Sequence, residues 1–246
     1  MKNAVFSTEF GPMIINLLDQ GVSSDIIESG YFERNQIDFL SHIVKMLISI
    51  YGEISIYDIG ANIGTHSIAF AKIDKSKITV RSFEAQRSVY YSLCGNVALN
   101  NLSNVYCHNL AVNGGEQNVV KIRVPDYNTR QNFGSFELEK IEKTDNRDLV
   151  LGKYEEIDCI MLDKFLEPVH FIKLDVEGME MQVLKGAKKL FQINKPFCFV
   201  EIFKSNQSDI FKHFSDLNYT GFVTRQDLIA IPPNSGLAIN NLTQVF

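Results

Sequence analysis

The sequence lacks three things: an excess of positive charge, a paired-cysteine motif and an apolar run long enough for a membrane. Its 246 residues carry a formal net charge of −5. That argues against a general nucleic-acid binder, which needs clustered Lys and Arg to displace counterions. The cysteines Cys94, Cys107, Cys159 and Cys198 have neither metal-knuckle nor redox spacing. Cys107, Cys159 and Cys198 sit in apolar, strand-like runs, where free cysteine behaves as a small hydrophobe. The first nine residues contain no run of signal-peptide length. The most apolar stretch, residues 43–57, is broken by Lys45, Gly52 and Glu53, so no membrane span is expected. A reducing cytoplasm is the expected location. There is no internal repeat and no low-complexity segment.

What remains is ordinary globular composition, 45% hydrophobic and 22% charged, at a length suited to one large α/β domain. Ile37, Leu40, Val44, Leu47 and Ile48 recur at helical spacing, and Gly52 closes that run. Residues 54–60 read as a strand entering a glycine turn, followed by helical patterning over 65–72. Strands are predicted at 78–84 and 105–109, with a helix at 89–99 between them. This alternation implies βαβ units and a mostly parallel sheet with helices on both faces. Regularity lapses over residues 113–169, where residues 119–124 and 157–162 read as extended segments. It resumes with a strand at 171–176, a helix at 179–191, a strand at 196–203 and a helix at 208–217. Residues 219–224 and 228–231 suggest a closing hairpin.

The strongest local signal is Asp58-Ile59-Gly60-Ala61-Asn62-Ile63-Gly64 at the end of the first core strand. Small residues there let backbone approach a ligand closely, at the position where open α/β sheets bind theirs. A dinucleotide fingerprint would need glycines at 62 and 65, where Asn62 and Thr65 stand. Asp58 instead suits a ligand with an ammonium group, such as the methionine part of S-adenosylmethionine. Glu84, ending the second strand, suits the two hydroxyls of a ribose. Adenine should then lie near Asn109, Leu110 and Ala111.

A third motif, Lys173-Leu174-Asp175-Val176-Glu177-Gly178, ends a strand that should neighbour the first. Asp175 and Glu177 would lie beside the ligand's reactive end. There they could accept a proton, hold an acceptor hydroxyl or coordinate a divalent ion. Glu177 has a second reading, as a residue favouring a helix amino terminus. Lys173 within an apolar strand needs a partner. Glu201, in an equally apolar run on the adjoining strand, either pairs with it or joins the site. His66 follows the glycine turn and is a candidate base. His108 ends the third strand, His42 and His213 lie in helical segments, and His170 begins its strand at the wrong end for catalysis.

These residues resemble the FkbM-type methyltransferases. Residues 58–66, Phe83-Glu84, the Leu162-Asp163-Lys164-Phe165 segment, residues 172–178, residues 184–187 and Val200-Glu201 match in order. Gly30-Tyr31-Phe32-Glu33 resembles an upstream glycine–aromatic–glutamate element. Ala85 departs from the proline common at that position, and the last forty residues match nothing assigned. The resemblance implies a Rossmann-like class I methyltransferase fold, with an N-terminal helical segment (residues 1–52) packed on a domain spanning 53–246. A strand-rich insertion, residues 113–169, precedes the fourth core strand. It implies S-adenosylmethionine as cofactor, bound by Glu33, Asp58, Gly60, Asn62, Gly64, Glu84, Ala111 and Asp175. Asp175, Glu177 and His66 are the catalytic candidates, with a divalent metal left open. The expected acceptor is a hydroxyl of a sugar, nucleotide sugar or related natural product. A homo-oligomer is allowed. The alternatives are a non-catalytic S-adenosylmethionine-binding protein, a methyltransferase for a non-carbohydrate acceptor, and, third, a nicotinamide oxidoreductase. A nucleobase amino-methyltransferase fits less well, because Asp-Val-Glu-Gly replaces the proline–aromatic clamp. Residues 113–153 are expected to form a flap over the acceptor pocket, with Arg130 available to a phosphate.

Overall fold

The computed structural model describes residues 2–135, 154–165, 167–237 and 242–246. The chain opens with an antiparallel hairpin, β1 (Asn3–Thr8) and β2 (Gly11–Asn16), followed by α1 (Val22–Ser29) and α2 (Arg34–Tyr51). The helical segment expected over residues 1–52 is therefore helical only in its second part. The hairpin's turn uses Gly11 at φ +113°, a conformation open to glycine. Its inward residues Met13 and Ile15 are buried in the same core as Ile54 and Ile56. Asn96 locks it in place: its Oδ1 accepts the Ile14 N–H at 2.5 Å, and its Nδ2 donates to the Ile63 carbonyl at 2.8 Å. In α2 the periodic residues Ile37, Leu40, Val44 and Leu47 are buried, each contributing about 1.5–3 kcal/mol by leaving water. Gly52, at φ +81°, ends it.

The main sheet is built from β3 (Ile54–Ile59), β4 (Ile78–Phe83), β5 (Val105–His108), β9 (Phe171–Leu174) and β10 (Phe197–Glu201), all parallel. β11 (Thr220–Thr224) and β12 (Asp227–Ile231) form the predicted closing hairpin, and β13 (Thr243–Gln244) adds an edge. The eight strands run β13-β11-β12-β10-β9-β3-β4-β5. The order reverses between β3 and β9, which opens a crevice at their carboxyl ends.

Alternate residues of each strand enter two cores. Ile54, Ile56, Phe171, Phe197, Phe199 and Ile229 pack towards α2 and α3 (Thr65–Ile73), with Val89 from α4 (Arg87–Leu99) in the same cluster. Tyr57, Ile59, Ile172, Leu174, Cys198 and Val200 pack with Val183, Leu190 and Phe214, from α5 (Glu180–Lys185), α6 (Lys188–Asn194) and α7 (Gln207–Asp216). By the same alternation Asp58, Lys173, Asp175, Glu201 and Asp227 share the α2–α3 face. The expected insertion contains a second small sheet: β6 (Ala111–Val112) and β7 (Val119–Arg123) flank β8 (Tyr154–Ile160). Residues 136–153 of the expected flap lie outside the described residues. Among the described residues no helix is long and apolar enough to cross a membrane.

Candidate functional site

At the end of β3 the chain turns with Gly60 at φ +81°, Asn62 at φ +50° and Gly64 at φ +92°. A Cβ on Gly60 would overlap the Asp175 carbonyl oxygen, so only glycine lets β3 and β9 end this close together. The Gly60 and Ala61 N–H groups donate to the Phe83 carbonyl, at 3.0 and 2.9 Å. Glu84, directly after β4, is buried and clamps the turn: it accepts the Asn62 N–H at 3.0 Å and the Gln86 N–H at 2.7 Å. Burial outweighs these two bonds and holds its carboxyl up at about 7. Gly60, Ala61, Asn62, Glu84, Leu110, Ala111 and Val112 line one side of a cleft.

The other side is set by strand register. Leu174 pairs with Val200 and Glu201 pairs with Asp227, so Asp175, Glu201 and Asp227 follow one another across three strands. Lys173 lies one step behind, 4% exposed, with Nζ 3.0 Å from Asp175 Oδ2 and 3.8 Å from Asp58 Oδ1. Burial alone would favour its neutral form, but Asp175, Asp58 and Glu33 together raise its pKa above the ordinary lysine value. The two readings of Lys173 and Glu201 thus resolve. The ion pairs of Lys173 are with Asp175 and Asp58, while Glu201 lines the cleft and its Oε2 is buried without a hydrogen-bond partner. Burial first, then Asp175, Glu177 and Glu180, push the Glu201 carboxyl up to about 8. Asp227 is pushed up to about 6, again chiefly by burial.

Helices α2 and α3 bring in the rest. Glu33 precedes α2 in a left-handed conformation, φ +47°, and lines the cleft, its carboxyl raised by burial to about 7. His66 is 4% exposed; its Nε2 donates to Gln36 Oε1 at 2.8 Å and lies 3.8 Å from Glu33 Oε2. Burial pulls its pKa well below the ordinary value, so it stands as neutral imidazole. Glu177, at φ +56°, is paired with Lys204. Non-glycine residues held at positive φ are uncommon and gather where structure serves a site. Glu33, Asn62 and Glu177, three of the seven among the described residues, line the cleft.

Most expected site residues therefore meet: Glu33, Gly60, Asn62, His66, Glu84, Ala111, Asp175 and Glu177 all line one cleft. Asp58 and Gly64 do not. Asp58 is fully buried, accepting from Ser67 Oγ at 2.5 Å and facing Lys173, so it stands behind the cleft wall rather than against a ligand's ammonium. Gly64 caps α3 and lies against Leu93. Arg130 is exposed and outside the lining, although its neighbours Asn132 and Gly134 are in it. Among the described residues no three His, Cys, Asp or Glu are grouped to hold a metal ion. Sequence reasoning missed Gln36, Asp227 and Glu180. Glu180 Oε1 accepts the Val176 and Gly178 N–H groups, at 3.1 and 3.2 Å, and fixes the loop that carries Glu177. Its only signal was a glutamate two residues beyond Gly178.

The family model described as the Methyltransferase FkbM domain matches residues 58–222. Methyltransferase FkbM from Methylobacillus flagellatus KT is similar in structure, at 19% identity and a TM-score of 0.50, over 72% of this chain and 43% of that one. Monomeric WbdD is similar at 10% identity and a TM-score of 0.54, over 94% of this chain and 49% of that one. The chain thus spans less than half the length of either structure, and likeness at these identities carries the fold alone. A search of curated proteins finds no match. The fold is the Rossmann-like class I methyltransferase fold, and the chain belongs to the FkbM methyltransferase family.

Proposed function

We propose that this protein uses S-adenosylmethionine to methylate a hydroxyl of a sugar, nucleotide sugar or related natural product. The observation that carries the reading is the cradle at the β3–β4 ends. There a glycine that no other residue can replace sits beside a buried carboxylate that clamps the turn. This side fits an adenosyl group. The free lone pairs of Glu84 suit ribose hydroxyls, and Leu110, Ala111 and Val112 offer a wall for adenine. Glu33 and Asp175 would hold the ammonium of the methionine part, with Asp58 acting on them only through Lys173. When bound, the donor supplies a methyl group already activated on a sulfonium. The protein's part is to align an acceptor oxygen with it, exclude water and receive a proton.

The acceptor side supports a hydroxyl-rich ligand. Glu201, Glu177 and the amide of Asn132 offer acceptors and donors to a polyol. The carboxylates would repel a phosphate placed at the reacting end, so a nucleotide sugar would have to keep its diphosphate outside the row. The test is transfer of isotopically labelled methyl from S-adenosylmethionine to a panel of alkyl glycosides and nucleotide sugars. Label on a carbohydrate oxygen is the expected result. S-adenosylmethionine binding with label appearing only on non-carbohydrate acceptors would overturn the acceptor class.

A further inference from the structure

Five described side-chain atoms are buried without a hydrogen-bond partner: Tyr57 Oη, Asp58 Oδ1, Asn104 Oδ1, Glu201 Oε2 and His213 Nε2. Of their residues only Glu201 lines the cleft. A buried carboxylate oxygen left unpaired is costly, and such an atom facing a cleft calls for a ligand partner. The other candidates for proton transfer are engaged. Asp175 is held by Lys173 at 3.0 Å, and Glu177 is paired with Lys204. Both oxygens of Glu84 accept backbone N–H groups. His66 gives its Nε2 proton to Gln36. Glu33 faces His66 and is 39% exposed.

We propose, resting on the methyltransferase reading above, that Glu201 is the base of the reaction, its Oε2 taking the proton of the acceptor hydroxyl. The hydroxyl oxygen's electron pair forms the new C–O bond to the methyl carbon. The C–S bond breaks with its pair remaining on sulfur as a neutral thioether. The hydroxyl proton ends on Glu201 and passes from there to solvent.

A base must be ionised before it can act, and the surroundings of Glu201 govern that. Asp227 on β12 is its cross-strand partner, and Lys173 on β9 with Asp175, Glu177 and Glu180 after it act on its charge; Glu33 ahead of α2 and His66 on α3 line the same cleft, and Lys204 just beyond β10 is paired with Glu177. Burial and the surplus of carboxylates hold Glu201 up at about 8, so near pH 7 it carries a proton. A cation entering the cleft favours ionisation. S-adenosylmethionine brings a sulfonium charge that S-adenosylhomocysteine lacks, the two being otherwise alike. Near pH 7 the methylated donor therefore favours the ionised, competent form of Glu201 more than the demethylated product does.

Calorimetry in buffers of differing ionisation enthalpy reads this without any acceptor. At pH 7, binding of S-adenosylmethionine should release a proton count approaching one per chain, and S-adenosylhomocysteine markedly less. The difference should fade above about pH 8, where Glu201 is already ionised. Glu201→Gln should bind S-adenosylhomocysteine as the native protein does and lose the difference, whereas Glu156→Gln, at an exposed position of β8 away from the cleft, should keep it. With the panel glycoside that turns over fastest, Glu201→Gln should lower kcat about 100-fold or more and leave the KM for S-adenosylmethionine near its native value. Equal proton release by the two ligands in the native protein would overturn the proposal, as would full kcat in Glu201→Gln. Binding of neither ligand would overturn the methyltransferase reading as well. Binding of both with no difference would sink the base assignment alone.

Discussion

The two sides of the cleft are built by opposite means. On the β3–β4 side, polar groups are satisfied within the protein: Glu84 holds two N–H groups, and Gly60 and Ala61 share one carbonyl. Glycine brings backbone against backbone there, and the turn's hydrogen bonds are made without a ligand. On the β9–β10–β12 side, carboxylates crowd around Lys173, and Glu201 keeps an oxygen without a partner. The first is suited to hold an invariant ligand; the second stores electrostatic imbalance that a ligand relieves.

The comparison can be broken at its hinge, because Lys173 serves both sides. Lys173→Met leaves Asp58 and Asp175 without their buried cation, and removing one partner of a buried pair costs about 3–5 kcal/mol. Chemical denaturation should show that loss, and a variant of native stability would deny Lys173 its central place. A smaller effect is expected on the β3–β4 side. Glu84→Ala removes the clamp on Asn62 and the proposed acceptor for ribose hydroxyls, and should weaken S-adenosylhomocysteine binding by about 1–3 kcal/mol. Unchanged affinity by calorimetry would move the ribose elsewhere. Smallest is Tyr127→Phe. Tyr127 donates its hydroxyl to Gln86 Oε1 at 3.0 Å, tying residues 127–133 to the segment after Glu84. Its loss should lower stability by about 0.5–1.5 kcal/mol in a denaturant titration, with the fold intact. A loss several times larger would mean that the whole segment, not one bond, depends on it.

That last contact bears on what the sequence could reveal. The glycine turn, Glu84 and the periodic face of α2 are local features, and short-range chemistry made them legible. The row Asp175–Glu201–Asp227 arises from register between strands far apart in sequence, which no local pattern records. Lys173 shows the same limit. Its need for a partner was evident from an apolar run, but the partner follows from the pairing of Asp58 with Lys173 across β3 and β9. Asp58 itself reads as a ligand-facing acid because it lies near a strand end, yet it stands level with Lys173, one step behind the cleft row, where it accepts from Ser67. The hairpin over residues 3–16 was missed because its stabilising partners, Asn96 and the core beside Ile54, lie elsewhere in the chain. Residues 113–153 read as a flap with residues 127–135 at its centre; within that centre Tyr127 and Phe133 are buried in the main core, and the Phe133 carbonyl accepts from Gln86 at 2.8 Å.

On the function proposed, the β3–β4 side is a site for the adenosyl donor. Calorimetric titration of the purified protein with S-adenosylhomocysteine and, separately, with NADH tests it most directly. Saturable one-to-one binding of S-adenosylhomocysteine that weakens in Glu84→Ala is expected, with little binding of NADH. Tight NADH binding with no uptake of S-adenosylhomocysteine would contradict it.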